Sequence, residues 1–369
     1  MADQPDPANR YRLPSLSDPR GLAGPAVIGV IVLGIAAAFA WVAGWLSPER
    51  LSPARMVDTL ESLDGTHAGF RRAHAKGVCV AGTFESNGAG VKLSRAAVFR
   101  PGKVPVIGRF ALASGVPDLD DGGIPVRSLA LRFLPPGGDE WRTGMNNIPV
   151  FVARDAASFR ELSLAARPDP ATGKPDPDRM KAFLGTHPET AHAFQMIGAK
   201  PQAAGFGDDT YSGLNAFRFI DAAGTATSVR WAMMPAAQPT AALPKPDAAA
   251  DKNRLFDALA AAFADGPLQW HLVATIAQAG DPTDDATAAW PQEREHVDLG
   301  TLTLDHIEAE APGNCRDITF DPLVLPDGIA PSDDPLLSAR SGAYSESLRR
   351  RDGEAKTPSA VQPAARKGA

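Results

Sequence analysis

Cysteine is nearly absent from this chain, with two residues in 369, Cys79 and Cys315. They can pair only where the fold brings them together, and two buried free thiols are the expected state, compatible with either redox compartment. Base is also in deficit. Lys and Arg number 37 against 43 Asp and Glu, a net charge of −6, so there is no cationic surface for nucleic acid. Tyrosine is the scarcest aromatic, with Tyr11, Tyr211 and Tyr344 only, and no internal repeat is visible. Charge is missing altogether from the run 26–46.

That run is long enough to cross a bilayer core of ~30 Å as a helix, and Trp41 and Trp45 near its far end suit an interfacial belt. A polar, Pro-rich stretch precedes it, unlike the short lead of a secretory signal, so an uncleaved anchor is expected. Arg10, Arg12 and Arg20 lie before the span, Arg50 and Arg55 after it. The bias places the short tail in the cytoplasm and the large C-terminal part outside it, at a bacterial inner membrane facing the periplasm. The expected division is a disordered tail over 1–25, a transmembrane anchor over 26–46, one folded domain over 47–351 and a disordered tail over 352–369.

At 44% hydrophobic content the domain can build a substantial core. From about 70 to 155, short apolar runs such as Val78-Cys-Val-Ala and Ile148-Pro-Val-Phe-Val-Ala alternate with Gly-, Pro- and Asp-rich turns, the pattern of an antiparallel sheet or barrel. Helical spacing predicts helices over 157–166, 178–184, 188–197 and 249–264. A hairpin is predicted from 214–220 and 225–234 around Asp221-Ala-Ala-Gly224, and a strand over 269–276. The class is α+β, a barrel core with helices.

Arg340 precedes Tyr344 by four residues, so on a helix the two share a face. A guanidinium against a phenol favours the phenolate, which can ligate iron. Tyr11 lies in the tail and Tyr211 in a polar turn, which leaves Tyr344 as the good candidate.

Two long segments carry a family resemblance: Arg71-Arg-Ala-His-Ala-Lys-Gly-Val-Cys-Val-Ala-Gly-Thr-Phe84 and Gly144-Met-Asn-Asn-Ile-Pro-Val-Phe-Val-Ala-Arg-Asp155. With Val106-Ile-Gly-Arg-Phe110, Ile124-Pro-Val-Arg-Ser-Leu-Ala-Leu-Arg-Phe133, Asn215-Ala-Phe-Arg-Phe219 and Phe320-Asp-Pro-Leu-Val-Leu-Pro-Asp-Gly-Ile329, in the same order, the chain resembles the haem catalases over roughly 55–351. It looks like the minimal catalase-related peroxidases. The resemblance implies a catalase-like antiparallel β-barrel and a haem b cofactor. It makes His74 the acid–base group of peroxide cleavage and Asn146, rather than Asn147, its hydrogen-bond donor. Tyr344 becomes the axial iron ligand and Arg340 the cation that keeps it anionic. Arg71, Arg109 and Arg351 fall on positions that hold haem propionates, Arg351 beside the rival Arg349 and Arg350, and Phe159 on the aromatic that packs over the ring. His67, His187, His192, His271, His296 and His306 read as ordinary core or surface side chains.

This sequence departs from the pattern at Ala111, where catalases carry a serine hydroxyl facing the distal histidine, at Gly342 in place of an aromatic, and at Ser345-Glu346 in place of Pro-Asp. The expected activity is reduction of hydrogen peroxide or organic hydroperoxides through a ferryl state, with a small-molecule or protein reductant and slow catalase turnover. Rearrangement of a lipid hydroperoxide and a haem carrier or sensor are the alternatives. A homodimer stays open.

Overall fold

Large apolar residues recur at every second position of the strands, which gives the twisted sheet one apolar face to close around. The structure, a computed structural model, describes residues 19–42, 51–123, 126–169, 172–236 and 252–363. In chain order the strands are β1 (Gly77–Ser86), β2 (Gly102–Leu112), β3 (Arg127–Phe133), β4 (Trp141–Asn146), β5 (Tyr211–Ser212), β6 (Phe217–Ile220), β7 (Ala226–Pro235), β8 (Leu268–Ile276), β9 (His296–Glu308) and β10 (Ile329–Pro331). The helices are α1 (Pro19–Val42), α2 (Pro53–Asp64), α3 (Ala156–Ala165), α4 (Pro177–Thr186), α5 (Pro188–Ala199), α6 (Arg254–Asp265) and α7 (Pro335–Asp352).

All strand pairings are antiparallel. The order runs β7, β5, β4, β3, β2, β1, β9, β8, and β8 pairs back to β7, closing an eight-stranded barrel, while β6 and β10 extend it from β7. Closure leaves these eight strands without an open edge. The barrel is filled by aromatics: Trp141 stacks on Phe133 at 4.7 Å, Trp231 on Phe217 at 4.2 Å, and Trp270 is fully buried.

On β2, β3 and β4 the outward residues are those the site uses. Gly77, Ala111, Ser128 and Asn146 are successive cross-strand partners, and Cys79, Arg109, Ala130 and Gly144 form the next row. Helices α2, α3 and α7 contribute residues to the wall opposite this face. Gly342 is where the N-terminus of α2 meets α7, because a Cβ there would lie 2.8 Å from Pro53 Cγ. The aromatic that the resemblance leads one to expect at 342 has no room.

Four sequence expectations change, the first being the run Ile148-Pro-Val-Phe-Val-Ala, which is a loop between β4 and α3 rather than a strand. Cys79 and Cys315 form a disulfide, with Cα atoms 5.5 Å apart, rather than two free thiols. Cys79 faces outward from β1, where the 309–320 segment crosses it, a proximity set by tertiary packing that the sequence does not spell out. The tail expected from 352 is partly packed, with Val361 buried in the core and Ser359 buried beside it, while 352, 353, 355, 357, 358 and 362 are exposed. Lys356 pairs with Asp317 at 2.6 Å. Helix α1 begins at Pro19, inside the stretch expected to be disordered, and carries Pro25 within it. Residues 1–18, with Arg10, Arg12 and Tyr11, and residues 43–50, with Trp45 and Arg50, lie outside the described residues, as do 237–251 and 364–369. Residues 1–52 form one unit and 53–369 another. Within the first, the stretch Gly24–Trp41 is apolar, exposed and long enough to cross a membrane.

Candidate active site

Five residues of the Arg71 to Gly77 segment have separate physical tasks. Arg71 bonds Glu310 Oε1 at 3.2 Å and the carbonyls of Cys315 and Ile318 at 3.1 and 2.6 Å. The Ala75 carbonyl accepts from Arg109 Nη2 at 3.1 Å. Lys76 is buried, and its Nζ bonds Asp121 Oδ1 at 2.7 Å and the carbonyls of Leu119 and Lys252, pinning the start of β1. Gly77 is glycine because any Cβ there would overlap the Arg109 guanidinium.

His74 stands between them with φ 58°, the left-handed region. Such a backbone costs about 1–3 kcal/mol for a residue with a Cβ, and persists only where surrounding contacts enforce it. Leu214 (φ 66°) is the other non-glycine of this kind among the described residues, and both line the same cavity. Burial pushes the His74 imidazole down to about 3, helped by the charges of Arg109, Arg340 and Arg71, while a hydrogen bond to Asn146 works the other way. The ring is therefore neutral at physiological pH, free to accept a proton.

Asn146 ends β4 with its side chain in the cavity, where its Oδ1 also accepts from Ser128 Oγ at 2.6 Å. Asn147 points elsewhere. Its Oδ1 accepts from the Arg127 backbone and its Nδ2 donates to Asp209 at 2.7 Å. The structure thus separates two adjacent asparagines that sequence alone could rank only by resemblance.

One cross-strand row further along, about 7 Å by strand rise, α7 reaches the sheet. Arg340 Nη2 donates to the Gly144 carbonyl at 3.0 Å and lies 3.4 Å from the Tyr344 hydroxyl, and Nη1 bonds Asn215 Oδ1. Asn215 is in turn held by Asp334 at 2.8 Å. Arg340 and Tyr344 do share a helix face, as the four-residue spacing predicts. Phe159 lines the cavity from α3, tilted against Phe151 at 5.5 Å.

At one end of the cavity Arg71, Arg109 and Arg351 converge. Arg349 and Arg350 turn away to Glu346, and Arg350 also to Asp58 and Glu61. Glu310, which sequence reading did not single out, grips Arg109 through two bonds of 2.7 and 2.9 Å. Burial alone would raise Glu310, but Arg109 and Arg71 outweigh it and hold the carboxyl below its usual range. Arg71 is pushed well down by burial and by the like charges of Arg109 and Arg351, and Arg351 is pushed to about 10 by burial and Arg109. Three guanidiniums meet one carboxylate, so the pocket end carries surplus positive charge. Arg351 Nη1 donates to the Arg316 carbonyl, while its buried Nε has no partner. A planar group bearing carboxylates fits this end, since it would satisfy the orphan donor and offset the repulsion. The haem propionates are such carboxylates, and the donor set fits them.

Of the other histidines, His67 bonds the Asp64 carbonyl, His187 stacks on Phe183, and His271 pairs with Asp298. Residues missed in the sequence are Glu310, Ser128, Asn215 and the α2 side chains Met56, Val57 and Leu60, which form part of the cavity wall. Asn215 and Ser128 sit inside segments that carry the family resemblance, a signal available for both. Glu310 had none.

An antiparallel barrel bearing His–Asn and Arg–Tyr pairs in one arginine-rimmed cavity defines the class of haem-barrel oxidoreductases. Residues 41–359 match the family model described as Catalase, and the chain belongs to the catalase family. It is 35% identical over 326 residues to the catalase-related peroxidase of Synechococcus elongatus, covering 88% of this chain and 93% of that protein. To the catalase-related peroxidase of Mycolicibacterium paratuberculosis it is 34% identical over 304 residues, 82% of this chain and 96% of the relative. A fungal catalase crystal structure superposes with TM-score 0.69 at 20% identity, covering 83% of this chain and 64% of the other, so the fold is shared with a longer protein.

Proposed function

We propose that this chain, a peroxide-acting oxidoreductase, is a membrane-anchored haem peroxidase that reduces hydrogen peroxide or organic hydroperoxides at the expense of an external donor. One observation carries the reading: a single cavity gathers the neutral His74 with Asn146 on one side and Tyr344 with Arg340 on the other. Tyr344 would hold the iron, Arg340 would stabilise its phenolate, and Arg71, Arg109 and Arg351 would hold the propionates. Haem b is the form proposed, because both cysteines are joined to each other and neither thiol is left for covalent attachment. A bound haem would supply an iron able to take up two oxidising equivalents from the peroxide.

The protein's own part is proton management. The His74 ring nitrogen would take a proton from one peroxide oxygen and return it to the other, which leaves as water or alcohol. The Asn146 amide donates to the peroxide and fixes it for that transfer. Two electrons and two protons from the donor complete the cycle.

Met56, Val57 and Leu60 give the cavity an apolar wall, which favours alkyl hydroperoxides, and Ala111 offers a methyl where a hydroxyl would assist oxidation of a second peroxide. Reduction with a donor should therefore outpace oxygen release. A carrier needs no histidine forced to φ 58°, which favours the enzymatic reading. The test is the visible spectrum of the purified protein, followed by peroxide titration with and without a donor. Tyr344→Phe is expected to lose the charge-transfer bands of a high-spin ferric phenolate complex; an unchanged spectrum would remove Tyr344 as ligand. Rapid oxygen evolution at an oxygen electrode would show a catalase instead.

A further inference from the structure

The hydroxyl missing at Ala111 has a counterpart one strand away. Ala111 pairs directly with Ser128, and Ser128 with Asn146, so all three lie side by side on the outer face of the barrel. Ser128 is 7% exposed and lines the cavity. Its Oγ donates to Asn146 Oδ1 at 2.6 Å. This hydroxyl therefore meets the asparagine rather than the histidine.

An amide oxygen only accepts and an amide nitrogen only donates. If the Asn146 amide were reversed, its nitrogen would donate to Ser128 Oγ and the Ser128 proton would lose the acceptor it has at Asn146 Oδ1 and have to turn elsewhere, at the cost of one buried hydrogen bond. Rotation of the amide about its last bond is otherwise soft. With Oδ1 accepting from Ser128, the amide nitrogen is turned toward the cavity, where Asn146 also makes its hydrogen bond with His74.

We propose that Ser128 is the positioning residue of the site, holding the Asn146 amide in the one orientation that presents its N–H groups to bound peroxide. The inference rests on the peroxidase reading and makes Asn146 depend on Ser128.

A double-mutant cycle on the ferric holoenzyme tests it. Two quantities are measured for the wild type, Ser128→Ala, Asn146→Ala and the double variant. One is the stopped-flow rate of the Soret change on mixing with hydrogen peroxide. The other is the equilibrium constant for cyanide, which enters as HCN and needs both a base and a donor. Ser128→Ala is expected to lower rate and cyanide affinity about fivefold, what one hydrogen bond is worth, and Ser128→Thr to restore both. In the Asn146→Ala background, Ser128→Ala is expected to change nothing further. Equal losses in both backgrounds would make Ser128 a packing residue and overturn the proposal, as would a Ser128→Ala protein with wild-type rate and affinity. A melting temperature for each variant separates loss of fold from loss of orientation. A wild type that fails to react with peroxide sinks the peroxidase reading itself, independently of the cycle.

Discussion

His74 combines two unfavourable conditions, a left-handed backbone and a buried ring beside three guanidiniums, and both bear on function. A histidine held near 3 when folded, against about 6.5 when unfolded, binds fewer protons in the native state. Stability linked to His74 is thus lost as pH falls through about 6.5 toward 3, while the folded ring stays neutral and competent. The peroxide reaction is expected to be flat in pH from about 5 to 8, measured as the initial stopped-flow rate; an acid limb near 6.5 would mean the ring titrates normally. His74→Ala should lose at least about a hundredfold in that rate, the usual worth of a positioned acid and base. His74→Gly should lose as much yet melt no lower than the wild type, since glycine accepts φ 58° without penalty.

At the level of elements, the site is two rows of a sheet read by a helix. Strand alternation sends Trp141, Thr143 and Met145 inward and therefore Arg142, Gly144 and Asn146 outward, so a period of two already assigns the distal asparagine to a face. Helices α3, α4 and α5, the β6–β7 hairpin and the helical face shared by Arg340 and Tyr344 were legible in the sequence, whereas Asn146 was told from Asn147 by the family resemblance alone. Helix α2 was not legible, because its apolar residues are few and its role is to close a cavity that exists only after α7 and the barrel have met. The pairing of Cys79 with Cys315, 236 residues apart, was illegible for the same reason. That disulfide ties β1 to the segment whose Glu310 and carbonyls of Cys315, Arg316 and Ile318 hold Arg71, Arg109 and Arg351. Replacing both cysteines by alanine is expected to cost about 3 kcal/mol, several degrees in melting temperature, and to weaken haem retention in competition with apomyoglobin. An alanine pair with unchanged haem affinity would separate the disulfide from the arginine end of the cavity.

For the whole molecule, the apolar stretch Gly24–Trp41 and the disulfide bear on location from independent chemistry. The first is long enough to anchor, and the second belongs to oxidising compartments rather than the cytosol. On this ground we propose a catalytic domain held outside the cytoplasmic membrane, the orientation expected from the arginine bias. Truncation tests the anchor and the domain boundary separately. Removing residues up to 52 leaves α2 whole, so the protein is expected to be recovered in the soluble fraction with haem bound and peroxide reactivity intact. Removing residues up to 64 takes away Met56, Val57 and Leu60 from the cavity wall and Glu61 from its pair with Arg72. That shorter protein is expected to lose haem on gel filtration and to melt several degrees lower. In intact cells of the full-length protein, protease should reach the domain once the outer barrier is opened and before the inner membrane is lysed. Protection until full lysis would reverse the orientation, and a soluble full-length protein would remove the anchor.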